Sequence, residues 1–147
     1  MYYGYIYTTW GKEVWIPNNM SSGRANMKAV YEVNDRSFDG YPPFQWVDGL
    51  NPSGTEYAED AKGIWYLPAK DEVELMLGHW KPDIILSLQT INRLPYPGEE
   101  AYFGTSSSSS TIGYEGWIYK PNDFDFSINV MNHKTKISSN FFAVMEF

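Results

Sequence analysis

A single α+β domain is the fold class this sequence predicts, and three observations predict it. Short runs of aromatic and β-branched residues occupy both ends of the chain. Helical spacing of apolar residues is confined to the middle, and no repeat of roughly 20–50 residues or interdomain linker divides the chain. At 147 residues one core suffices, since a domain near this size buries roughly 70% of its unfolded surface. The domain is therefore expected to span residues 1–147, with residues 1–19 as a lead-in strand pair.

Taken in order, the elements justify that class as follows. Tyr3, Tyr5 and Tyr7 alternate with Gly4, Ile6 and Thr8, and Val14-Trp15-Ile16 follows a Gly-Lys turn, so a β-hairpin is predicted. Pro17-Asn18-Asn19-Met20-Ser21-Ser22-Gly23 is dense in turn formers. Ala29-Val30-Tyr31-Glu32-Val33 reads as a strand and Asp39-Gly40-Tyr41-Pro42-Pro43 as a break, so little of the first third is expected to be helical. Residues 56–62 predict a short helix ended by Gly63, a residue that tolerates the left-handed conformation of helix ends.

After Pro68, residues 70–77 predict a further helix. Asp71 and Glu72 sit in its first turn, where the helix dipole favours acids, Val73, Met76 and Leu77 share one face, and Gly78 stops it. Ile84, Leu88 and Ile91 predict another helix over residues 83–93, closed by Pro95 and Pro97. Ser106, Ser107, Ser108, Ser109 and Ser110 form a low-complexity run and predict a loop. Three closing strands follow: Gly116-Trp117-Ile118-Tyr119, the period-two series Phe124, Phe126, Ile128 and Val130, and residues 141–147.

Composition excludes several functions. A formal net charge of -7 with scattered basic residues disfavours nucleic acid and anionic membrane as partners. No apolar run approaches the roughly 20 residues of a membrane span, so no membrane insertion by this segment is expected. No signal peptide is visible, and an exported protein would carry its signal outside this chain. Zero cysteines exclude disulfides, thiol nucleophiles and thiolate metal sites. His79 and His133 lack zinc-ligand spacing, and neither a Gly-x-Ser-x-Gly elbow nor a phosphate-binding glycine loop is present.

Carboxylates are the remaining chemistry. Glu56, Glu59, Asp60, Glu99, Glu100, Asp123 and Asp125 are candidates for a glycosidase pair, but no two stand apart from the rest. Asp123 and Asp125 alternate with Phe124 and Phe126, which places acids on one strand face and rings on the other. Asn122-Asp123-x-Asp125 also suits a calcium site of carboxylate and carbonyl oxygens. No catalytic residue, metal ligand or cofactor is assigned, with calcium left open. Aromatic residues make up 18% of the chain, with six Trp and twelve Tyr, a composition suited to buried structure and to rigid contact surfaces.

The stretch Gly63-Ile64-Trp65-Tyr66-Leu67-Pro68-Ala69-Lys70-Asp71-Glu72-Val73 is similar to the Gly-Trp-Tyr-Leu-Pro-Ser-Lys-Asp-Glu-Leu signature of bacterial C-type-lectin-like domains. Ala69 and Val73 depart from it. Upstream, Gly23-Arg24-Ala25-Asn26-Met27 resembles a Gly-x-x-Asn-Thr segment, and residues 44–50 with Ala58 and Ala61 resemble the pre-helical region. Downstream, Tyr102-Phe103-Gly104-Thr105-Ser106 stands where Tyr-Trp-Ser-Ser-Ser is usual, Trp117 matches an Ala-Trp strand, and residues 142–147 match a terminal strand of form Val-Arg-x-Val-Arg-x-Phe. Phe103 replaces the usual Trp, and Ala143 and Met145 replace arginines.

That resemblance covers residues 20–147 and implies a C-type-lectin-like fold, a twisted, mostly antiparallel sheet flanked by two short helices with long loops. Trp65, Leu67 and Pro68 are then the structural signature. The family includes C-terminal modules of bacterial surface lipoproteins and fimbrial-tip adhesins, receptor-binding tips of some phages and variable proteins of diversity-generating retroelements. A distant branch is the formylglycine-generating enzyme fold, whose chemistry needs cysteine or copper ligation that this cysteine-free chain lacks. The implied function is non-enzymatic recognition of a glycan or protein ligand at the cell surface, by an exported module. Ser106, Ser107, Ser108, Ser109, Ser110, Tyr114, Trp117, Tyr119, Asn122 and Asp123 are the expected contact face. A structural subunit of a fimbria-like assembly and a small carbohydrate-active enzyme are the alternatives.

Overall fold

The computed structural model describes residues 2–11, 15–78, 103–108, 116–119, 128–131 and 139–146, and through them the chain is α+β. Among these residues three helices, α1 (Gly23–Val33), α2 (Pro42–Asp48) and α3 (Lys70–Gly78), accompany six strands, where the resemblance implied two helices. The strands are β1 (Tyr2–Thr8), β2 (Trp65–Tyr66), β3 (Phe103–Ser108), β4 (Gly116–Tyr119), β5 (Ile128–Met131) and β6 (Ser139–Met145). They run in the order β1-β6-β3-β4-β5, antiparallel except for the parallel β3–β6 pair, and β2 pairs with β6 off this path.

β6 organises the sheet. β1 lies along one edge from Ser139 to Val144, while β3 meets Asn140 and β2 meets Val144 and Met145. Of the three closing strands expected, the first and last are present as β4 and β6 and the second from Ile128 on as β5, Phe124 and Phe126 lying outside the described residues; β4 and β5 keep continuous antiparallel register from Gly116↔Met131 to Tyr119↔Ile128. The expected N-terminal hairpin is not seen among the described residues: β1 pairs with β6, Trp15 and Ile16 belong to no strand, and residues 12–14 lie outside the described residues. Period-two alternation identifies a strand but carries no information about its partner.

Two local readings are corrected by helix capping. Residues 29–33, read as a strand, are the last turns of α1. Its Ser22 N-cap accepts a hydrogen bond from Ala25 N at 3.1 Å, and Gly23, Asn26, Met27 and Val30 bury one stripe. Pro42 and Pro43, read as a break, open α2, because a missing N–H costs nothing in the first helical turn. Residues 56–62, in turn, form no helix but irregular chain with one turn at Glu59 and Asp60. Gly63 closes them at φ +69°, and its N–H donates to Glu146 O at 2.8 Å. α3 matches its expected range, but the helix expected over 83–93 lies outside the described residues.

The core collects Trp10, Phe44, Leu67, Ile118, Tyr119 and Phe141, each at most 1% exposed. Within the signature, burial deepens along the chain: Trp65 is partly buried, Tyr66 buried and Leu67 fully enclosed. Asn51 serves Trp65 as a strand would, its amide donating to Trp65 O at 2.7 Å and accepting from Trp65 N at 2.8 Å. No helix among the described residues is long and apolar enough to cross a membrane.

Candidate functional site

The signature segment docks through β3, and β3 is built to receive it. Between Gly104↔Ile118 and Ser108↔Gly116 the β3–β4 pairing advances four positions on β3 for two on β4, so the strand bulges. The bulge turns backbone groups away from the ladder. Ser106 N donates to Pro68 O at 2.9 Å and Ser108 N to Pro17 O at 2.7 Å, while the Thr105 hydroxyl donates to Trp117 O at 3.1 Å. Side chains complete the network: Ser107 Oγ donates to Asn19 O at 2.7 Å and accepts from Lys70 N at 2.9 Å, and Asn26 Nδ2 donates to Asn19 O and Ser106 Oγ.

These contacts overturn part of the expected binding face. Ser106, Ser107 and Ser108 are not loop residues; they are strand residues with no exposed surface, and Tyr119 is 1% exposed. Hydroxyls are tolerated there because those of Thr105, Ser106 and Ser107 each find a partner, and because serine is small enough to let α1 and the α3 N-terminus approach β3. Trp117 is partly buried, with Lys70 Nζ 5.4 Å from its ring centroid. Ser109, Ser110, Tyr114, Asn122 and Asp123 lie outside the described residues, as do Asp125, His79 and His133. The face as a unit is therefore not assembled by the described strands.

Glu72 explains the acidic end of the signature. Its Oε2 accepts from Ala69 N at 2.7 Å, which is the back-reaching half of a capping box on α3, and from Gly23 N at 2.9 Å at the start of α1. One carboxylate thus joins two helix N-termini. Burial raises its pKa, against the opposing effect of the two backbone donors. The unfolded chain then releases this proton at lower pH than the folded chain does. Glu72's contribution to stability is accordingly complete below its unfolded value of 4.5 and declines as pH rises through the folded pKa. Glu72→Gln retains an acceptor oxygen without the charge, so unfolding free energies of variant and parent should shift in the variant's favour from pH 4 to pH 7. An unchanged difference between the two proteins over that range would remove Glu72 as the titrating group.

An ion pair sits just past the end of β6. Glu146 accepts from Lys62 Nζ at 2.7 Å and from Arg24 Nη2 of α1 at 2.8 Å. The Lys62 hydrogen bond and charge, and then Arg24, hold the Glu146 carboxyl below its ordinary range. Arg24 also donates to Ala61 O and lies 5.2 Å from the Tyr66 ring centroid.

A second region has the form of a ligand site. A surface cleft of about 510 Å³ opens beside α1, lined by Lys28, Tyr31, Glu32 and Arg36 and by Thr55, Glu56, Tyr57 and Ala58. That volume lies within the roughly 300–1,000 Å³ of small-molecule sites. The floor is rigid. Tyr57, 5% exposed, donates its hydroxyl to Asp48 Oδ1 at 2.7 Å and accepts from Asn51 Nδ2 at 3.0 Å. Burial, and next the Asp48 hydrogen bond, raise the Tyr57 pKa and keep the phenol protonated. The buried Phe38 ring joins Tyr57 edge-on at 5.8 Å to the exposed Tyr31 at 5.5 Å.

The rim carries the charge and the strain. Asp35 and Arg36 both have left-handed backbone, at φ 56° and 59°, in the turn that ends α1. Arg36 N donates to Tyr31 O at 2.8 Å and Asn34 Nδ2 to Ser37 O and Asp39 O at 3.0 Å, which holds the turn. Left-handed geometry costs roughly 1–2 kcal/mol for a residue with a Cβ. Lys28 Nζ stands 3.9 Å from Glu32 Oε1, whereas the Arg36 guanidinium has no hydrogen bond or ion pair among the described residues.

Of these cleft residues only Glu56 was singled out from the sequence. The strand reading of 29–33 hid Lys28, Tyr31 and Glu32, which share one helix face, while Thr55, Tyr57 and Ala58 reach the cleft only through the tertiary fold. Asn34-Asp35 after a helical pattern was the available signal, since both residue types tolerate the left-handed conformation. No group of three or more metal-ligating His, Cys, Asp or Glu occurs among the described residues. Neither a protein-family model nor a curated protein nor a solved structure matches the chain.

Proposed function

We propose that the chain is a recognition module of the bacterial cell surface, C-type-lectin-like in fold and non-enzymatic, that binds a glycan or a protein ligand outside the cell. The observation that carries this reading is the cleft beside α1, where a fixed aromatic floor meets two carboxylates and a guanidinium that is unpaired among the described residues. Rigid tyrosines and adaptable polar groups are the ingredients of recognition surfaces. The docking of the Trp-Tyr-Leu-Pro segment onto β3 and β6 supports the family reading, because it gives the signature a structural role independent of any ligand. A packing subunit calls for a broad apolar patch. The large hydrophobics left exposed among the described residues are Tyr31, Val33 and Leu75, which favours a cleft-based binder.

Binding of the labelled chain to a glycan array and to intact cells tests the proposal. Saturable binding is expected, and Tyr31→Ala should weaken it about tenfold, as loss of a rigid aromatic contact does at many binding sites. Absence of saturable binding on both surfaces would refute the reading.

One observation favours a second reading. Glu32 and Glu56 line the same cleft, as the two acids of a glycosidase do. Release of reducing ends from an oligosaccharide, abolished in Glu56→Gln, would establish that enzyme; binding without turnover is the result expected here.

A further inference from the structure

We propose that the cleft beside α1 takes a carboxylate-bearing glycan, gripped by Arg36 and stacked on Tyr31. This deepens the recognition reading and rests on it. The argument begins with Arg36, whose position is the least favourable in the turn for a residue with a side chain. Its φ of 59° follows another left-handed residue, Asp35, and glycine would fill either place with less strain. Its side chain returns nothing to the fold, since the guanidinium has no hydrogen bond or ion pair among the described residues. A strained backbone that displays an unpaired group at a cleft rim is a signature of function rather than of stability.

The ligand class follows from the other lining groups. A guanidinium presents a planar fork of donors that matches a carboxylate in bidentate fashion. Lys28 stands 3.9 Å from Glu32, so Arg36 is the cleft cation without an ion pair among the described residues. Glu32 and Glu56, like the net charge of -7, repel a multiply charged anion more than a single carboxylate, and both accept hydrogen bonds from sugar hydroxyls. Tyr31 is 39% exposed and is backed by the Phe38 ring at 5.5 Å, which presents a fixed aromatic face to a sugar ring. One negative charge among many hydroxyls, on a ring with an apolar face, satisfies every group in the cleft.

Titration calorimetry of the whole chain tests this with sialyllactose and an otherwise neutral oligosaccharide ended by a single glucuronate, each compared with its carboxyl-reduced neutral form. At least one acid should bind ten or more times tighter than its reduced counterpart. Arg36→Gly should abolish that preference while melting at or above the parent temperature, so that unfolding cannot account for the loss, and Arg36→Lys should restore part of it. Equal affinity for acid and reduced forms, or a preference that survives in Arg36→Gly, overturns the assignment. Binding to cells that Arg36→Gly leaves intact, and for which no glycan competes, overturns it in favour of a protein ligand and spares the recognition reading. A parent chain that binds neither sugars nor cells overturns both.

Discussion

Trp10→Ala is expected to lower the free energy of unfolding by about 3–5 kcal/mol, the range for truncating a fully buried large aromatic. Trp10 has no exposed surface, its ring meets Phe141 edge-on at 5.0 Å, and its indole N–H donates to Thr105 O at 2.8 Å inside the β3 bulge. Truncation leaves a cavity against β6 and strips a buried carbonyl of its donor. The surroundings cannot close on the gap, because Gly116 is already seated against the indole, where an added Cβ would stand 2.8 Å from two ring atoms. Against the roughly 5–15 kcal/mol that stabilises an ordinary domain, such a loss leaves a marginal fold. Trp65→Ala should be clearly milder, since Trp65 is only partly buried and its hydrogen bonds to Asn51 run through the backbone. Denaturant unfolding of the two variants checks the ranking; equal losses would show that the core is not centred on Trp10.

Gly23→Ala has two opposing expectations, and magnitude decides between them. Helix propensity alone favours Ala over Gly by about 1 kcal/mol in a helix interior, less at a first-turn position such as this. Packing acts the other way: a Cβ at Gly23 would overlap the Leu67 carbonyl oxygen and stand 2.8 Å from the Tyr66 ring and 2.9 Å from Pro68 Cα. Two of these three neighbours are backbone, so no rotamer change relieves the contact. Forcing atoms into a packed site costs about 1–3 kcal/mol, occasionally more, and here it also separates Glu72 from the N–H of Gly23. The variant is expected to be less stable than the parent, with a melting temperature lower by about 2–4 °C for each kcal/mol lost in a domain near this size. A melting temperature equal to or above the parent's would mean that α1 and the signature do not meet as described.

The two variants also separate what was legible from what was not. Trp65, Tyr66 and Leu67 announce a buried run because bulky residues precede a proline, and Asp71 and Glu72 announce a helix start because acids there complement the dipole. Both readings are local, and α3 and the enclosed Leu67 agree with them. Trp10, by contrast, sits beside Gly11 in a stretch with no periodicity, and its burial depends on strands more than ninety residues away. Gly23 read as the end of a turn cluster; its role as the point where α1 touches the signature has no local trace.

The serines make the same point for the candidate site. A run of hydroxyls reads as a solvated loop because, alone, each would be costly to bury. Ser106 and Ser107 are nevertheless enclosed, because Asn26, Asn19, Pro68 and Lys70 supply partners from distant segments of the chain. The left-handed turn had a local signal in Asn34-Asp35, but that Arg36 also adopts it depends on what holds the turn, the Arg36 N–H to Tyr31 O and the Asn34 amide. The sequence by itself determined the α+β class, the closing strands and the helix after Pro68, because periodicity and caps act between neighbours a few positions apart. Tertiary structure alone decided which strand pairs with β1, that the serines are buried, and that Lys28, Tyr31, Arg36 and Glu56 share a cleft. Those outcomes depend on which remote groups satisfy one another, and polarity along a chain does not record its partners.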